Sequence, residues 1–594
     1  YQSLIEGAIK PQWALLGATF IAICSFLPLY LAPASVAEIV KPLFVVLAVS
    51  LGLSWILALC QTTTFGNFIL KEAVPGGAMK DPYDTKLYHK FEKFLTLLIK
   101  RRFVTLTTVF VTLVLSLVIM AVMPQSFFPK MNKPYFRADL VFPEGFSIHA
   151  VDQDVMKVED YLKNHEKVKS YSVTLGGTPL RYYLASSSFG PKSNYANVMV
   201  ETKDPEDAAE VEQQFYEHMT QNFPNIITRS ALFALSPVPE AAIEIGFIGE
   251  NPDTLTALVE RAKKIARQCD MVTDIRSNWG DKVPVWKPMF SQQKGLRLGI
   301  TRQQVANSFR TATNGLPLGE YREGDVSLPI LLKDEDVEKM NLNDVKSVPV
   351  FSTKGNSVKV EQVIDNFALG YDYNVVRRFN RERCMMMQCE PKRGANTMAA
   401  FKQVLTAVQE QMQLPEGYKM KYFGEQETQD VSNAALAKNI PLTFLLIYVV
   451  LLFLFPSNYR KPVLIMLMLP LVFIGVVWGL LLFGKSLDFF AILGLLGLIG
   501  MNIKNAIVLV DEIGLQLKDG KGAVPAVVEA TKTRIVPVTM ASGTTILGML
   551  PLLGDAMFAG MAATIMGGLF VSTVLTIFVL PVTYCIFFKI RADR

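Results

Sequence analysis

Charge is scarce in this sequence. Of its 594 residues, 19% are Asp, Glu, Lys or Arg and 51% are hydrophobic. Soluble domains carry roughly 25% charged residues. The shortfall excludes an ordinary soluble domain and reads as a membrane protein with a sizeable water-exposed part. The net charge of +6 is small for the length. No face or segment concentrates it, which excludes a nucleic-acid footprint. Cysteine is scarce too: Cys24, Cys60, Cys269, Cys384, Cys389 and Cys585. They show no metal-ligand spacing and are too few for a disulfide framework. There is no catalytic triad, metal motif or phosphate loop, so neither an enzyme nor a cofactor is expected. The chain opens at Tyr1, without Met or a signal peptide, and soon enters an apolar run; it reads as part of a longer protein.

What is abundant is long apolar runs. A spanning helix needs about 20 mostly apolar residues. Eight stretches qualify: 13–31, 42–59, 103–123, 440–456, 462–483, 489–510, 536–553 and 561–587. Basic residues orient them. Lys86, Lys90, Lys93, Lys100, Arg101 and Arg102 fall before the third span, Arg460 and Lys461 after the fourth, Lys518, Lys521, Lys532 and Arg534 after the sixth, and Lys589 and Arg591 in the tail. These segments alternate correctly and all fall on one side, the cytoplasm. The segment from about 124 to 438 then lies on the other side. Residues 88–102 (YHKFEKFLTLLIKRR) place Phe91, Phe94, Leu97 and Leu98 at helical spacing among lysines. This reads as an amphipathic surface helix or as an extension of the following span.

The external segment repeats a strand–helix–strand order. The units are 136–142, 149–164 and 168–175; 195–202, 205–223 and 225–235; 241–249, 252–269 and 272–278; and 384–391, 397–412 and 418–424. Two pairs make two split-βαβ sandwiches, the second interrupted by an insertion. Helix residues such as Val155, Val158 and Leu162, or Leu255, Leu258, Ala262 and Ile265, recur every three to four positions and cover a sheet face. The predicted organisation is two spans at 1–60, a cytoplasmic or interfacial helix in 61–102 and a third span at 103–123. The first sandwich follows at 124–238 and the second at 239–280 and 381–438. The insertion takes 281–380, five spans take 439–588, and 589–594 form a tail.

The sixth span reads FFAILGLLGLIGMNIKNAIVLVDEI. Gly494, Gly497 and Gly500 form a face that admits a close neighbour. Lys504 follows, seven residues before Asp511, hence about 10 Å of helix rise from the polar end. A charge at that depth costs roughly 2.5–3.5 kcal/mol on insertion scales. Either Lys504 snorkels without a role, or it lines an ion pathway with a carboxylate partner. No other span holds Asp or Glu in its apolar interior. The nearest acids, Asp488, Asp511, Glu512 and Asp555, sit at span ends. Arg534 opens the seventh span and reads as a cytoplasmic anchor or a relay member. Thr539, Ser542, Thr544 and Thr545 follow it, as packing polars or as a water-holding proton wire.

GLIGMNIKNAIVLVDE in the sixth span, TRIVPVTM at the seventh, PEGFS after the first external strand and WALLGATFIAICSFLPL near the start carry a resemblance. The sequence resembles the resistance-nodulation-division efflux transporters, in particular their hydrophobe/amphiphile multidrug branch, over essentially its whole length. The resemblance implies an α-helical transmembrane bundle, here with eight spans, plus an α+β periplasmic domain. That domain would hold split-βαβ porter subdomains and an inserted channel-docking subdomain. The chain would hold helices five to twelve of the family's twelve, and the second of two periplasmic loops. The fourth helix, not in this chain, would carry an aspartate pair facing Lys504. Arg534 matches the relay arginine, and Asn505 adjoins the lysine. The relay threonine falls on Ala541, so Thr539 or Ser542 would replace it.

The family pattern also implies a proton-motive-force-driven antiporter of amphiphilic compounds. It would be a homotrimer in the lipid bilayer of a Gram-negative inner membrane. Its partners would be a periplasmic membrane-fusion adaptor and an outer-membrane channel. The stretch 171–199 aligns with the drug pocket and switch loop. Tyr171, Tyr182, Tyr183, Phe189 and Met199 are the expected substrate-binding side chains, and Gly176, Gly177 and Pro179 the switch loop. Alternatively the aromatics are sheet core. Tyr171 stands where phenylalanine is usual, and Arg181 intrudes. A lipid or hydrophobe transporter and a non-transporting partner subunit are the other family readings. Lys504 argues against heavy-metal exporters, which commonly lack it. Met385, Met386 and Met387 lie between Cys384 and Cys389, but consecutive strand residues point to opposite faces, so core packing is the reading taken for them.

Overall fold

The computed structural model describes residues 9, 12–32, 35–69, 83, 85–126, 131–180, 191–233, 240–334, 344–352, 355–456 and 458–590. It divides into two units: Tyr1–Asn278 with Arg378–Arg594, and Trp279–Arg377.

The first unit opens with helices α1 (Gln12–Ser25), α2 (Leu27–Leu31) and α3 (Ser35–Ile69). Next come α4 (Lys86–Lys100) and α5 (Arg102–Val122). Arg101, at φ −95° and ψ 38°, leaves helical geometry and separates the last two. The amphipathic segment is therefore its own helix, not an extension of the next span. Its apolar face buries Leu95 and Ile99, and Phe91 and Phe94 set their rings 5.5 and 5.4 Å from Phe578.

The first sandwich runs β1 (Tyr135–Val141), α6 (Ile148–Lys163), β2 (Val168–Leu175), β3 (Tyr195–Thr202), α7 (Ala208–Asn222), β4 (Ile227–Leu232). Its antiparallel sheet has the order β2-β3-β1-β4. Ser147 caps α6 by accepting from Ala150 N at 3.3 Å. Val151, Val155, Val158 and Leu162 of α6 and Val211, Phe215 and Met219 of α7 close over Phe136, Leu140, Val198 and Val200.

The second sandwich starts with β5 (Ile243–Ile248), α8 (Pro252–Ala266) and β6 (Val272–Ser277). The chain then enters the second unit, whose limits lie within three residues of the predicted insertion. There β7 (Lys282–Phe290) precedes α9 (Gln292–Leu298) and α10 (Arg302–Thr311). An exposed hairpin follows, β8 (Leu316–Glu323) with β9 (Val326–Leu332). The unit ends with β10 (Pro349–Phe351), β11 (Ser357–Lys359) and β12 (Ile364–Tyr373), the last paired with β7. Ile300, Val305, Val350, Val360, Val363 and Ile364 form its own small core.

Back in the first unit, β13 (Arg378–Phe379), β14 (Glu382–Pro391), α11 (Thr397–Gln411) and β15 (Lys419–Phe423) complete the second sheet. Its order β6-β14-β5-β15 repeats that of the first. Cys384, Met385, Met387 and Cys389 are buried in β14, and the helix-covered sheet accounts for them as core.

Strand β15 runs straight into α12 (Gly424–Leu454), with Gly424 in the left-handed region at φ 81°. A Cβ there would lie 3.1 Å from the Ala242 carbonyl, so glycine suits both the turn and the close approach. The bundle continues with α13 (Arg460–Leu467), α14 (Val472–Leu482), α15 (Phe489–Lys518), α16 (Ala523–Met549) and α17 (Ala559–Phe587). Eight helical stretches are long and apolar enough to cross a membrane, and they coincide with the eight predicted spans. Ile447, Leu464, Ile507, Val510, Val527 and Leu580 lie in the shared bundle core.

Candidate functional site

Helix α15 carries the site. Asp488 starts it by accepting from Ala491 N at 2.7 Å. From there the helix buries most of its length, with Asn502, Ile503, Asn505, Ala506 and Ile507 all enclosed. Lys504 alone in that stretch is exposed. Among the described residues, no Asp or Glu oxygen lies within 4 Å of its amine. The helix thus turns a basic side chain out of the bundle at mid-span depth.

The buried side of the same turn is polar in a different way. Asn505 Nδ2 donates to Ser542 Oγ of α16 at 3.5 Å, a long bond. The Thr573 hydroxyl of α17 has two acceptors in reach, Ser542 Oγ at 2.6 Å and its own helix carbonyl at Leu569, 2.7 Å. Three helices are joined here by neutral groups that both donate and accept, one residue from the lysine. Asn505 and Thr573 both point donors at the Ser542 hydroxyl, so Ser542 is the shared acceptor of the cluster.

Of the two expected substitutes for the relay threonine, Ser542 joins this cluster and Thr539 does not. Thr539 is exposed, and its hydroxyl reaches only the carbonyls of Ile535 and Val536 at 2.7 and 3.1 Å. Thr573 was missed by sequence reading. The only available signal was a hydroxyl within an apolar run, which packing also explains.

Arg534 is half-buried, eleven residues into α16 and just ahead of its apolar part. Its Nη2 donates to Glu512 Oε2 of α15 at 2.5 Å and its Nε to the same oxygen at 3.2 Å. Glu512 was one of the acids considered for Lys504, and it is committed to Arg534 instead. The two cations therefore differ: Arg534 is paired within the chain, and Lys504 has no acid in ion-pair reach among the described residues.

The glycine stripe needs correction. A Cβ at Gly494 would come 3.0 Å from the Met561 carbonyl, but at Gly497 and Gly500 it would meet Phe26 and Ala22 at 3.0 and 2.8 Å. The three-residue repeat drifts round the helix, so it serves two neighbours and not one.

Of the expected substrate-binding side chains, Tyr171 and Met199 lie among the described residues. Tyr171 of β2 pairs with Val200 and packs on the first sandwich's core. Met199 pairs with Ser172, one step along, and so faces the opposite side of the sheet. Gly176 has φ 73°, receives Lys192 N and donates to the Tyr195 carbonyl, closing the base of the loop in which Gly177 and Pro179 follow. Tyr182, Tyr183 and Phe189 lie outside the described residues.

A model of the AcrB/AcrD/AcrF family matches residues 2–588. The swarming motility protein SwrC of Bacillus subtilis is 22% identical over 100% of this chain and 56% of its own. The multidrug export protein AcrF of Escherichia coli is 23% identical over 97% of this chain and 57% of its own. The nickel and cobalt resistance protein CnrA of Cupriavidus metallidurans is 27% identical over 59% of this chain and 33% of its own. A crystal structure of a heavy metal efflux pump superposes with a TM-score of 0.76, at 18% identity, over 96% of this chain and 57% of that one. The chain thus spans about half the length of the relatives it matches.

Proposed function

The chain belongs to the AcrB/AcrD/AcrF family of resistance-nodulation-division proteins, and from that premise we propose that it is the C-terminal part of a proton-driven exporter of amphiphilic compounds. The observation that carries this is Lys504: an intramembrane cation, exposed, with no acid within ion-pair reach among the described residues. Its position calls for a carboxylate supplied by another helix against the open face of α15. Protonating that carboxylate would release the lysine, and one charge crossing 100 mV supplies about 2.3 kcal/mol per proton. Asn505, Ser542 and Thr573 offer the alternative polar contacts. Arg534, already held by Glu512, fixes α16 against α15 at the inner end.

In this reading the two sandwiches are porter subdomains and Trp279–Arg377 is the channel-docking element. The working pump is a homotrimer with a periplasmic adaptor and an outer-membrane channel, seated in the inner membrane. Amphiphiles are preferred over soft metal ions because Met385 and Met387 are packed away in the second sandwich's core.

The test is Lys504→Ala in the full-length transporter, reconstituted with an imposed pH gradient. Dye efflux should fall at least tenfold with the melting temperature unchanged. Efflux that still follows the gradient at the parental rate overturns the proposal. Nickel or cobalt efflux without dye efflux would keep the proton coupling and replace the cargo.

A further inference from the structure

One short turn joins three parts of the first unit. It links β14 to α11 and covers Lys392 to Asn396. Gly394 at φ 80° gives it its reversal, and it is pinned by Lys392 N to the Met271 carbonyl at 2.8 Å and by Ala395 N to the Lys392 carbonyl at 2.9 Å. It is a rigid prong, and both of its ends reach outside the second sandwich.

At one end stands Arg393. Its guanidinium grips Glu212 of α7 with both arms, 2.6 Å each, and reaches Ser230 Oγ of β4 at 2.9 Å. It also lies over the Tyr216 ring, 4.3 Å from its centre. All of these partners belong to the first sandwich. Glu212 is buried, so the bond cannot be exchanged for water without opening the seam between the sandwiches. Bidentate pairing of this kind sets geometry as well as energy.

At the other end stands Asn396. Its Oδ1 caps α11 by accepting from Ala399 N, and its Nδ2 donates to the Gln125 carbonyl at 2.9 Å. Gln125 follows α5 at the rim of the bundle. There it forms a parallel bridge with Leu487, and Ser126 Oγ lies 2.7 Å from Ser486 Oγ. The Leu487 amide donates to the Pro124 carbonyl at 3.2 Å. Leu487 immediately precedes Asp488, the cap of α15, the helix of Lys504. An unbroken run of short contacts thus leads from the start of the lysine helix to the seam between the two sandwiches.

We propose that this turn is the coupling element of the transporter, with Asn396 sensing the outer end of α15 and Arg393 latching the two sandwiches. Neither is a catalytic residue; both are positioning residues. A shift of α15 along its axis moves the 486–488 loop and the Gln125 strand bridged to it. That strains the Asn396 bond, tilts the turn and withdraws Arg393 from Glu212, so the seam opens once per cycle. The inference rests on the efflux reading above.

Two measurements test it in the full-length transporter, with the exposed Cys60 replaced by Ser. The first joins Tyr216→Cys to Arg393→Cys with a reducible bifunctional thiol reagent. Bridging should lower efflux at least tenfold and reductant should restore it, while reagent on either single variant has no effect. Parental efflux with the bridge in place overturns the latch. The second is a double-mutant cycle on efflux rate. Asn396→Asp keeps the helix cap and removes the donor to Gln125. It should lower the maximal rate several-fold at unchanged half-saturating substrate, and add nothing further in an Arg393→Ala background. Additive effects overturn the coupling. If Lys504→Ala leaves proton-coupled efflux intact, the efflux mechanism falls. The bridge and the cycle then still score the turn on whatever transport remains.

Discussion

The bundle and the paired sandwiches are held together by opposite means. In the bundle, helices meet backbone to backbone. A Cβ on Gly475 would lie 2.6 Å from the Gly567 carbonyl and 2.7 Å from the Gly568 Cα, and one on Gly479 would lie 2.8 Å from the Gly567 Cα. Between the sandwiches, the joint is made of charge: Arg393 on Glu212, and Arg229 donating to the Glu240 carbonyl at 2.6 Å, beside Arg276. The difference follows from the solvent. Lipid tails are as apolar as leucine, so spanning helices associate through close packing and a few hydroxyl bonds. A glycine contact of that kind is tight and leaves no room for a side chain. Charged side chains in a seam flanked by water can separate and be solvated once it opens, which makes them fit for a joint that moves.

The largest effect that would break this comparison is expected at the glycine contact. Gly475→Leu forces α14 and α17 apart where backbone faces backbone, at the upper end of the about 1–3 kcal/mol that overpacking typically costs. The melting temperature in detergent should drop by several degrees, since each kcal/mol shifts it by about 2–4 °C in a chain of 150–250 residues and by less in a longer one, with the external sandwiches still folded by limited proteolysis. A melting temperature unchanged by Gly475→Leu would mean that the bundle does not rely on this approach.

The second prediction probes the charged side through pH. Burial pushes the Glu244 carboxyl up to about 7, and nearby Glu240 adds to the shift. Hydrogen bonds from Gln388 at 2.8 Å and Ala241 N at 3.2 Å oppose it. The folded state therefore holds a proton that the unfolded chain releases at its ordinary 4.5. The stability linked to that proton is fully present below 4.5 and is lost as pH rises through 7, by up to ~3 kcal/mol. Glu244→Gln should match the parent in melting temperature near pH 4.5 and exceed it at pH 8. Equal melting temperatures at both pH values would remove Glu244 from the charged side of the comparison.

These two sides were unequally legible in the sequence. Strand–helix–strand periodicity located both sandwiches, and the order β2-β3-β1-β4 reappears in the second one even though the 279–377 unit interrupts it. Local pattern suffices there because each helix needs only one apolar stripe. The eight spans were legible for the same reason, as apolar length. The stripe at Gly494, Gly497 and Gly500 was legible as small residues but not as partners, since which helix each one meets depends on the packing of α1, α2 and α17. Gly475, Gly479, Gly567 and Gly568 were overlooked because glycine in an apolar span carries no mark of its neighbour. Arg393 and Glu212 lie 181 residues apart, and nothing in either local pattern predicts that they meet. Lys504 was legible because a charge in an apolar run violates the surrounding pattern, and Arg534 was legible as a residue but not as the partner of Glu512.

The smallest effect separates two hydroxyls in one helix. Ser542 links α15 and α17 through Asn505 and Thr573, whereas Thr539 bonds only to its own helix. Interhelical bonds of this kind average about 0.6 kcal/mol in membrane bundles, with a maximum near 1.7. Ser542→Ala should therefore shift thermal stability by no more than a few degrees, yet slow proton-coupled efflux several-fold, because it removes the link between the lysine helix and α17. Thr539→Ala should change neither. Should Thr539→Ala slow efflux while Ser542→Ala does not, the proton path runs along the exposed face of α16, and the buried hydroxyls are packing like the glycines beside them.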